Sequence, residues 1–438
     1  MNQLKKKLNL YGLTMIAVGS CIGSGIFRSP GEVAQVVPNH SLILLVWALG
    51  GVVALTGALT FSELGGMFPK AGGVYVYLRE AFGDLVGFLY GWVILLVINT
   101  GALAALAITF ADYMTYFVPM EENGKVILAI LTIVGLTAIN IRGVDISQIF
   151  ASVFTSLKLV AIAGIIIAGF VYYDASKVQL DFSLTNNVPD NVFGMMLVAL
   201  IGVLWSFGGW HHTSYLSGEA INAKRDVPRA MIYGVLIVTT TYVLVNLAYM
   251  MLLPLSEIAA SKKVAGDAIA QLFSFGGKLV AIIIAISIFG TIGIYTMTAP
   301  RIYFAMARDG VFFPKLAYVH PRFGTPIYAM LVQALWAIIL LIFWKSFHNL
   351  ITYVTFMDII FMAMAGFSIF IFRKKLKDRE RPVLALGYPV IPLLFVLIST
   401  AFVMSTLLER PSQSLAGLAI LVLGLPVYFY FKNYRNRS

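Results

Sequence analysis

One cysteine in 438 residues means that no disulfide can form within the chain and no cysteine cluster can hold a metal. Charged side chains are scarce too, at 12% against roughly a quarter in an average soluble domain. Acidic residues are the rarer sign, 20 against 31 Lys and Arg. The chain has no Gly-x-x-x-x-Gly-Lys-Ser/Thr loop, no His-Glu-x-x-His and no Gly-x-Ser-x-Gly. Nucleotide-driven work and the common hydrolase mechanisms therefore lack their usual residues. No acid and base pair or nucleophile set sits on adjacent predicted helices, so no enzyme, cofactor or metal centre is expected.

What fills the chain is apolar. Hydrophobic residues make up 60% of it, and twelve stretches reach the ~20 residues a helix needs to cross a bilayer. They centre near Met15, Ala54, Leu95, Thr132, Ile162, Leu204, Thr240, Ser287, Trp336, Phe361, Leu397 and Leu421. Little length remains between them, which predicts an all-α integral membrane protein with one transmembrane domain over 1–438. Lys5, Lys6 and Lys7 precede a segment without an A-x-A-like site, so no cleaved signal is expected.

A net charge of +11 could indicate a nucleic-acid partner, but its placement points elsewhere. With the N-terminus inside, 21 of the 31 basic residues fall in cytoplasmic segments and 8 in outer ones. That bias follows the positive-inside rule and places both termini on the cytoplasmic side of a cell's inner membrane. The six basic residues from Arg373 to Arg381 read as an anchor for anionic lipid. The partners expected are the lipid bilayer and a small molecule, not nucleic acid.

Two Gly/Ser-rich breaks interrupt membrane-length segments, Gly19-Ser20-Cys21-Ile22-Gly23-Ser24-Gly25 and Ser206-Phe207-Gly208-Gly209. Unwound backbone at membrane depth is tolerated only where protein buries it or it lines a cavity. Matched breaks in the two halves of a chain are the best sequence pointer to a transporter's substrate site. After a break, the second half of a helix starts with unpaired N–H groups at the positive end of its dipole, which suits a carboxylate. The first half ends in unpaired carbonyls, which suit an ammonium group. Two facing breaks can thus bind both ends of a zwitterion, and an α-amino acid is the simplest such ligand. The competing reading is plain helix packing, since Gly19 and Gly23 also form a Gly-x-x-x-Gly pair.

Several motifs then carry a specific resemblance. Gly19-Ser20-Cys21-Ile22-Gly23-Ser24-Gly25-Ile26-Phe27 resembles the first-helix signature of the amino acid–polyamine–organocation superfamily. Phe61-Ser62-Glu63-Leu64 and Phe68-Pro69-Lys70-Ala71-Gly72-Gly73-Val74-Tyr75 are similar to its second helix and following loop. Trp205-Ser206-Phe207-Gly208-Gly209-Trp210, Glu219-Ala220-Ile221-Asn222, Val227-Pro228-Arg229-Ala230 and Arg379-Glu380-Arg381-Pro382 resemble its prokaryotic L-type amino acid transporter branch. The likeness implies the LeuT-type fold, twelve transmembrane helices with inverted five-helix repeats over 11–173 and 191–372. Helices 1 and 6 would be broken, and two more helices would follow over 386–431.

The same resemblance implies a site. The backbone of Ser24, Gly25 and Ile26 would receive the substrate carboxylate, and carbonyls around Cys21, Trp205, Ser206 and Gly208 the ammonium group; Gly19 and Ser20 belong to the same site, with carbonyls near them open to the Lys158 ammonium. Trp205 aligns with the aromatic that caps the bound amino acid; a lipid- or core-facing role is its ordinary alternative. His211 and His212 depart from the Asn-like position expected after Gly-Gly-Trp. Glu63 and Glu219 match positions of structural or gating ion pairs. Relatives of human type pair with a glycoprotein through an outer-loop cysteine; the loop around Val118-Pro119-Met120-Glu121-Glu122 has none, so no disulfide-linked heavy subunit is expected.

Lys158 stands mid-helix in Phe154-Thr155-Ser156-Leu157-Lys158-Leu159-Val160-Ala161. A lysine at the bilayer centre costs at least ~2.5–3.5 kcal/mol, so function or pairing must offset it, unless it snorkels to an interface. Thr155, one turn earlier, could share a hydrogen bond with it. Resemblance to sodium-independent members puts Lys158 where sodium-coupled relatives bind a cation between helices 1 and 8. There it could act as a fixed cation that favours exchange, or exchange its own proton in a coupled symporter. Tyr242 is a candidate partner for Lys158, with ordinary packing as the alternative. Asp112 and Asp358 fit either an intramembrane or an interfacial place. The reading that follows is a sodium-independent exchanger of neutral L-amino acids working by alternating access. A proton-coupled symporter of the same fold is the alternative, and a channel is disfavoured because no filter-like ring of residues is visible.

Overall fold

The computed structural model describes residues 4–183, 191–343, 347–409 and 411–435. Lys345, Arg410 and Arg437, three of the charges counted above, lie outside them.

Apolar character on all sides drives these residues into long helices, since a helix with no polar face is stable only inside protein or lipid. In chain order the main helices are α1 (Leu10–Cys21), α2 (Gly25–Val36), α3 (His40–Met67), α4 (Asp84–Met114), α5 (Glu122–Ile141), α6 (Val144–Tyr172) and α7 (Val192–Phe207). They continue with α8 (His212–Tyr215), α9 (Ala223–Leu252), α10 (Gly276–Thr298), α11 (Ile327–Phe343), α12 (Phe347–Lys375), α13 (Val390–Glu409) and α14 (Pro411–Arg435). No strand occurs among the described residues. Asparagines start several helices: Asn9, Asn39 and Asn191 accept bonds from the N–H groups of Gly12, Leu42 and Gly194 at 2.9–3.1 Å.

All twelve predicted centres lie in helices. Among the described residues ten spans are long and apolar enough to cross a membrane, and α1 with α2, bent by 42°, makes an eleventh. α11 has the composition but only 17 residues, against the twelve full spans expected. The outward faces are apolar, as lipid requires: Leu131, Val160 and Leu408 are each more than 60% exposed.

α1 packs among α6, α9 and α10, and α3 packs along α9. α4 carries one π-helical turn at Ile94–Ile98, a local widening often found at functional sites. The basic cluster is a partial correction. Arg373 and Arg381 turn inward, at 2.6 and 3.3 Å from the buried Glu63 carboxylate. Arg379 lies 4.1 Å over the Phe68 ring, and only Lys374, Lys375 and Lys377 remain exposed for lipid.

Candidate functional site

The two breaks meet. α1 stops at Cys21, and its cap Ile22 leaves helical geometry at φ −78° and ψ 86°. α7 stops at Phe207; Gly208 is extended and Gly209 takes φ +113°, a conformation that strains any L side chain. A Cβ on Gly209 would lie 2.8 Å from Ser20 Cβ and 2.9 Å from the Ser20 carbonyl. A Cβ on Gly25 would lie 2.5 Å from Ser206 Oγ and 3.2 Å from Ser206 Cα. Glycine at these two positions is what allows backbone to approach backbone.

The freed carbonyls are already engaged by side chains, chiefly Lys158 and Tyr242, with Thr291 and Ser287 also 3.1–3.4 Å from Gly19 O, Ile22 O or Gly23 O. Lys158, 1% exposed, donates to Gly19 O at 3.0 Å, Ile22 O at 2.8 Å and Thr291 Oγ1 at 2.7 Å. An ammonium has three donors, and all three are used. Its near neighbour Val160 is 70% exposed, so Lys158 is on the inner face of α6 and does not snorkel. No carboxylate pairs with it among the described residues; the counter-charge is the negative end of α1, worth about half a charge.

Tyr242, on α9, does not bond Lys158, contrary to expectation. Its hydroxyl lies 3.0 Å from Cys21 O and 2.9 Å from Ser206 O, tying the end of α1 to the last turn of α7. A hydroxyl has one proton, so it satisfies one of these acceptors at a time. Thr155 also bonds elsewhere, donating to Met15 O at 3.1 Å.

A cavity of about 120 Å³ opens beside the crossing. At the ~10–15 Å³ that one water needs on this measure, it has room for roughly eight to twelve water-sized groups, the scale of a small amino acid. Ser20, Cys21, Ser24, Gly25, Trp205, Ser206 and Gly208 line it. Gly19, Ile26, Lys158 and Tyr242 do not: Gly19 packs against Thr155 and Ile294, and Ile26 is fully buried. His211 and His212 also line the wall; His212 Nδ1 sits 3.0 Å from Thr298 Oγ1. Asn99, Tyr215, Thr291, Tyr295, Thr355, Asp358 and Ser399 also line it. Asp358, open between two places in the sequence, is thus on the cavity wall, while Asp112 lies near the end of α4, 3.1 Å from Lys125.

Access differs on the two sides. Ser24 lines both this cavity and a second one bounded by Arg28, Asp112, Lys263 and Asp267, residues of the predicted outer segments. On the other side, Glu219 and Arg301 form a two-pronged pair at 2.7 and 2.8 Å, both fully buried. The chain entering α1 clamps the same turn, with Lys7 N and Leu8 N donating to Glu219 O. Tyr90 and Tyr215 share a hydroxyl bond of 2.7 Å. The expected ion pairs of Glu63 and Glu219 are thus both present.

A multi-pass helical protein with a central cavity built on two broken helices is a membrane transporter. The chain belongs to the amino acid permease family, whose model matches residues 8–426, and it has that family's LeuT-like fold. It is 35% identical to the serine/threonine exchanger SteT of Bacillus subtilis over 98% of both chains. It is 34% identical to the large neutral amino acids transporter small subunit 2 of Rattus norvegicus, over 97% of this chain and 80% of the relative. The b(0,+)-type amino acid transporter 1 of Homo sapiens is 31% identical, over 99% and 89%. The family and these relatives are transporters, not enzymes.

Proposed function

We propose that this chain exchanges neutral L-amino acids across the cytoplasmic membrane without sodium. The observation that carries the reading is the Lys158 ammonium bonded to Gly19 O and Ile22 O. A fixed cation occupies the carbonyls that a bound metal cation would otherwise need, so no ion gradient has a site to act on there. Names of the relatives, an exchanger and two amino acid transporters, favour the same activity.

The substrate carboxylate meets the first N–H groups of α2 around Ser24, Gly25 and Ile26, of which Ser24 and Gly25 line the cavity, donors that an α-helix leaves without an internal acceptor. The ammonium group meets the carbonyls of Cys21, Trp205, Ser206 and Gly208, and takes up the acceptor that the single Tyr242 proton leaves open. Trp205, part-exposed to the cavity, covers the bound molecule. Residues 11–173 and 191–372 act as inverted repeats that rock about this point, with 386–431 outside them and both termini cytoplasmic. The chain works without a disulfide-linked subunit, because its one thiol is buried at the break.

The test is uptake of a labelled neutral amino acid mixture into liposomes holding purified protein, with and without internal amino acid. Uptake only into preloaded vesicles, unchanged by sodium or a collapsed pH gradient, is the expected result. Concentrative uptake into empty vesicles driven by a pH gradient would replace exchange with proton symport.

A further inference from the structure

The broken-helix ends account for the two charged groups that every amino acid has, and they are blind to its side chain. Something else on the cavity wall must read that part. Among the described residues, Asp358 is the only acidic side chain on the cavity wall, and no lysine or arginine lines it. It comes from α12, an element that contributes nothing to the crossing of α1, α2 and α7. Its Oδ1 is buried and has no hydrogen-bond partner among the described residues. The residue as a whole is part-exposed to the cavity.

Two more buried polar atoms on the same wall are unpartnered, Asn99 Oδ1 and His211 Nδ1. Asn99 spends its amide hydrogens on Gln333 Oε1 at 3.1 Å and Tyr295 O at 3.4 Å, which leaves only an acceptor facing inward. Buried polar atoms in folded proteins are nearly always paired, so several on one cavity wall call for a ligand or water. Asn99 Oδ1 is an acceptor, and Asp358 Oδ1 accepts whenever its carboxyl is ionised or carries its proton on the other oxygen. The wall asks for a donor.

We propose that Asp358 is a specificity-determining residue that accepts a hydrogen bond from the substrate's side chain. It selects amino acids bearing a side-chain hydroxyl or ammonium over aliphatic ones of the same size. This rests on the exchange reading above and adds to it the class of side chain that the cavity takes. The selection works in both directions: a donor is rewarded, and an aliphatic group strands the carboxylate without a partner.

Threonine and valine test it, since they differ only by hydroxyl against methyl. Purified protein in liposomes preloaded with alanine is assayed for exchange of labelled alanine, with each as competitor. Threonine is expected to compete at least about tenfold better than valine. Asp358→Asn, close in shape, should shrink the ratio to a few-fold, and Asp358→Leu should erase or reverse it. Ornithine against norleucine repeats the comparison for an ammonium donor and tells which donor the carboxylate prefers. Shifts in melting temperature on adding each amino acid give the same ranking in detergent, for variants that bind but exchange poorly.

Equal competition by threonine and valine, together with equal competition by ornithine and norleucine, overturns the proposal. So does a ratio that survives in Asp358→Leu. Absence of any amino acid exchange in the unmodified protein would instead refute the functional reading on which it stands.

Discussion

Lys158 places its ammonium 2.8 Å from the carbonyl of Ile22, the residue at which the first helix stops being a helix. A charge that would be costly in lipid and carbonyls left open by a break thereby solve each other's problem. Removing either half leaves the other exposed to the same low-dielectric surroundings. Lys158→Ala is therefore expected to abolish exchange while lowering membrane expression far less. Lys158→Arg, whose flat fork cannot reproduce three point-like bonds, should lose most activity too. Uptake per unit of surface-labelled protein decides it, and unchanged uptake in Lys158→Ala would remove the proposed role.

The Tyr242 hydroxyl bridges Cys21 O and Ser206 O, so Tyr242→Phe separates the two breaks without changing shape. One neutral hydrogen bond is worth about 0.5–1.5 kcal/mol, which corresponds to a fewfold to roughly tenfold effect. Apparent affinity for labelled alanine should weaken by that factor, with the maximal rate less affected. A loss in rate alone would make the tyrosine a hinge pin and not part of the ammonium subsite.

The breaks themselves were legible in the sequence because glycine and serine interrupt runs that are otherwise apolar. Lys158 was legible for the same reason, being a lone charge far from a helix end. What could not be read was rotation. Which way α9 and α12 face inside the bundle depends on contacts between helices distant in sequence, and a uniformly apolar helix has no periodic stripe to betray it. Tyr242 was consequently matched to Lys158, although it bonds the two breaks, and Asp358 stayed ambiguous although it lines the cavity. Thr155 shows a finer limit. One turn of spacing put it beside Lys158, yet its hydroxyl turns to Met15 O on α1.

Gly25→Ala probes the crossing sterically. The new methyl would sit 2.5 Å from Ser206 Oγ and 3.1 to 3.2 Å from Ser206 Cβ and Cα, and the backbone there cannot give way cheaply. Overpacking of this kind costs about 1–3 kcal/mol. Exchange should be lost and the melting temperature should fall. Gly164→Ala is the control, since no atom lies within 4 Å of its added methyl, and it should leave both properties unchanged.

Cys21 offers a chemical readout of the same place. Its Sγ lies 3.4 Å from Phe207 O, the last carbonyl of α7, and the residue is 5% exposed on the cavity wall. A small thiol reagent should label it slowly and stop exchange, and saturating alanine should slow the labelling several-fold. Labelling indifferent to substrate would put Cys21 outside the path.

Glu219 and Arg301 form a two-pronged ion pair, and both are fully buried. Glu219→Gln removes the charge but keeps the shape, so the guanidinium is left buried with half of its partnership. Breaking such a pair typically costs about 3–5 kcal/mol, because the penalty is the stranded charge and not the lost attraction. The melting temperature should fall accordingly. Replacing both members, Glu219→Gln with Arg301→Met, should recover much of the stability, since no buried charge then remains. If the pair also serves as the inner closure, that double variant should be stable yet admit a membrane-impermeant reagent to Cys21 from the cytoplasmic face. A double variant that is stable and still protects Cys21 would confine the pair to a structural role.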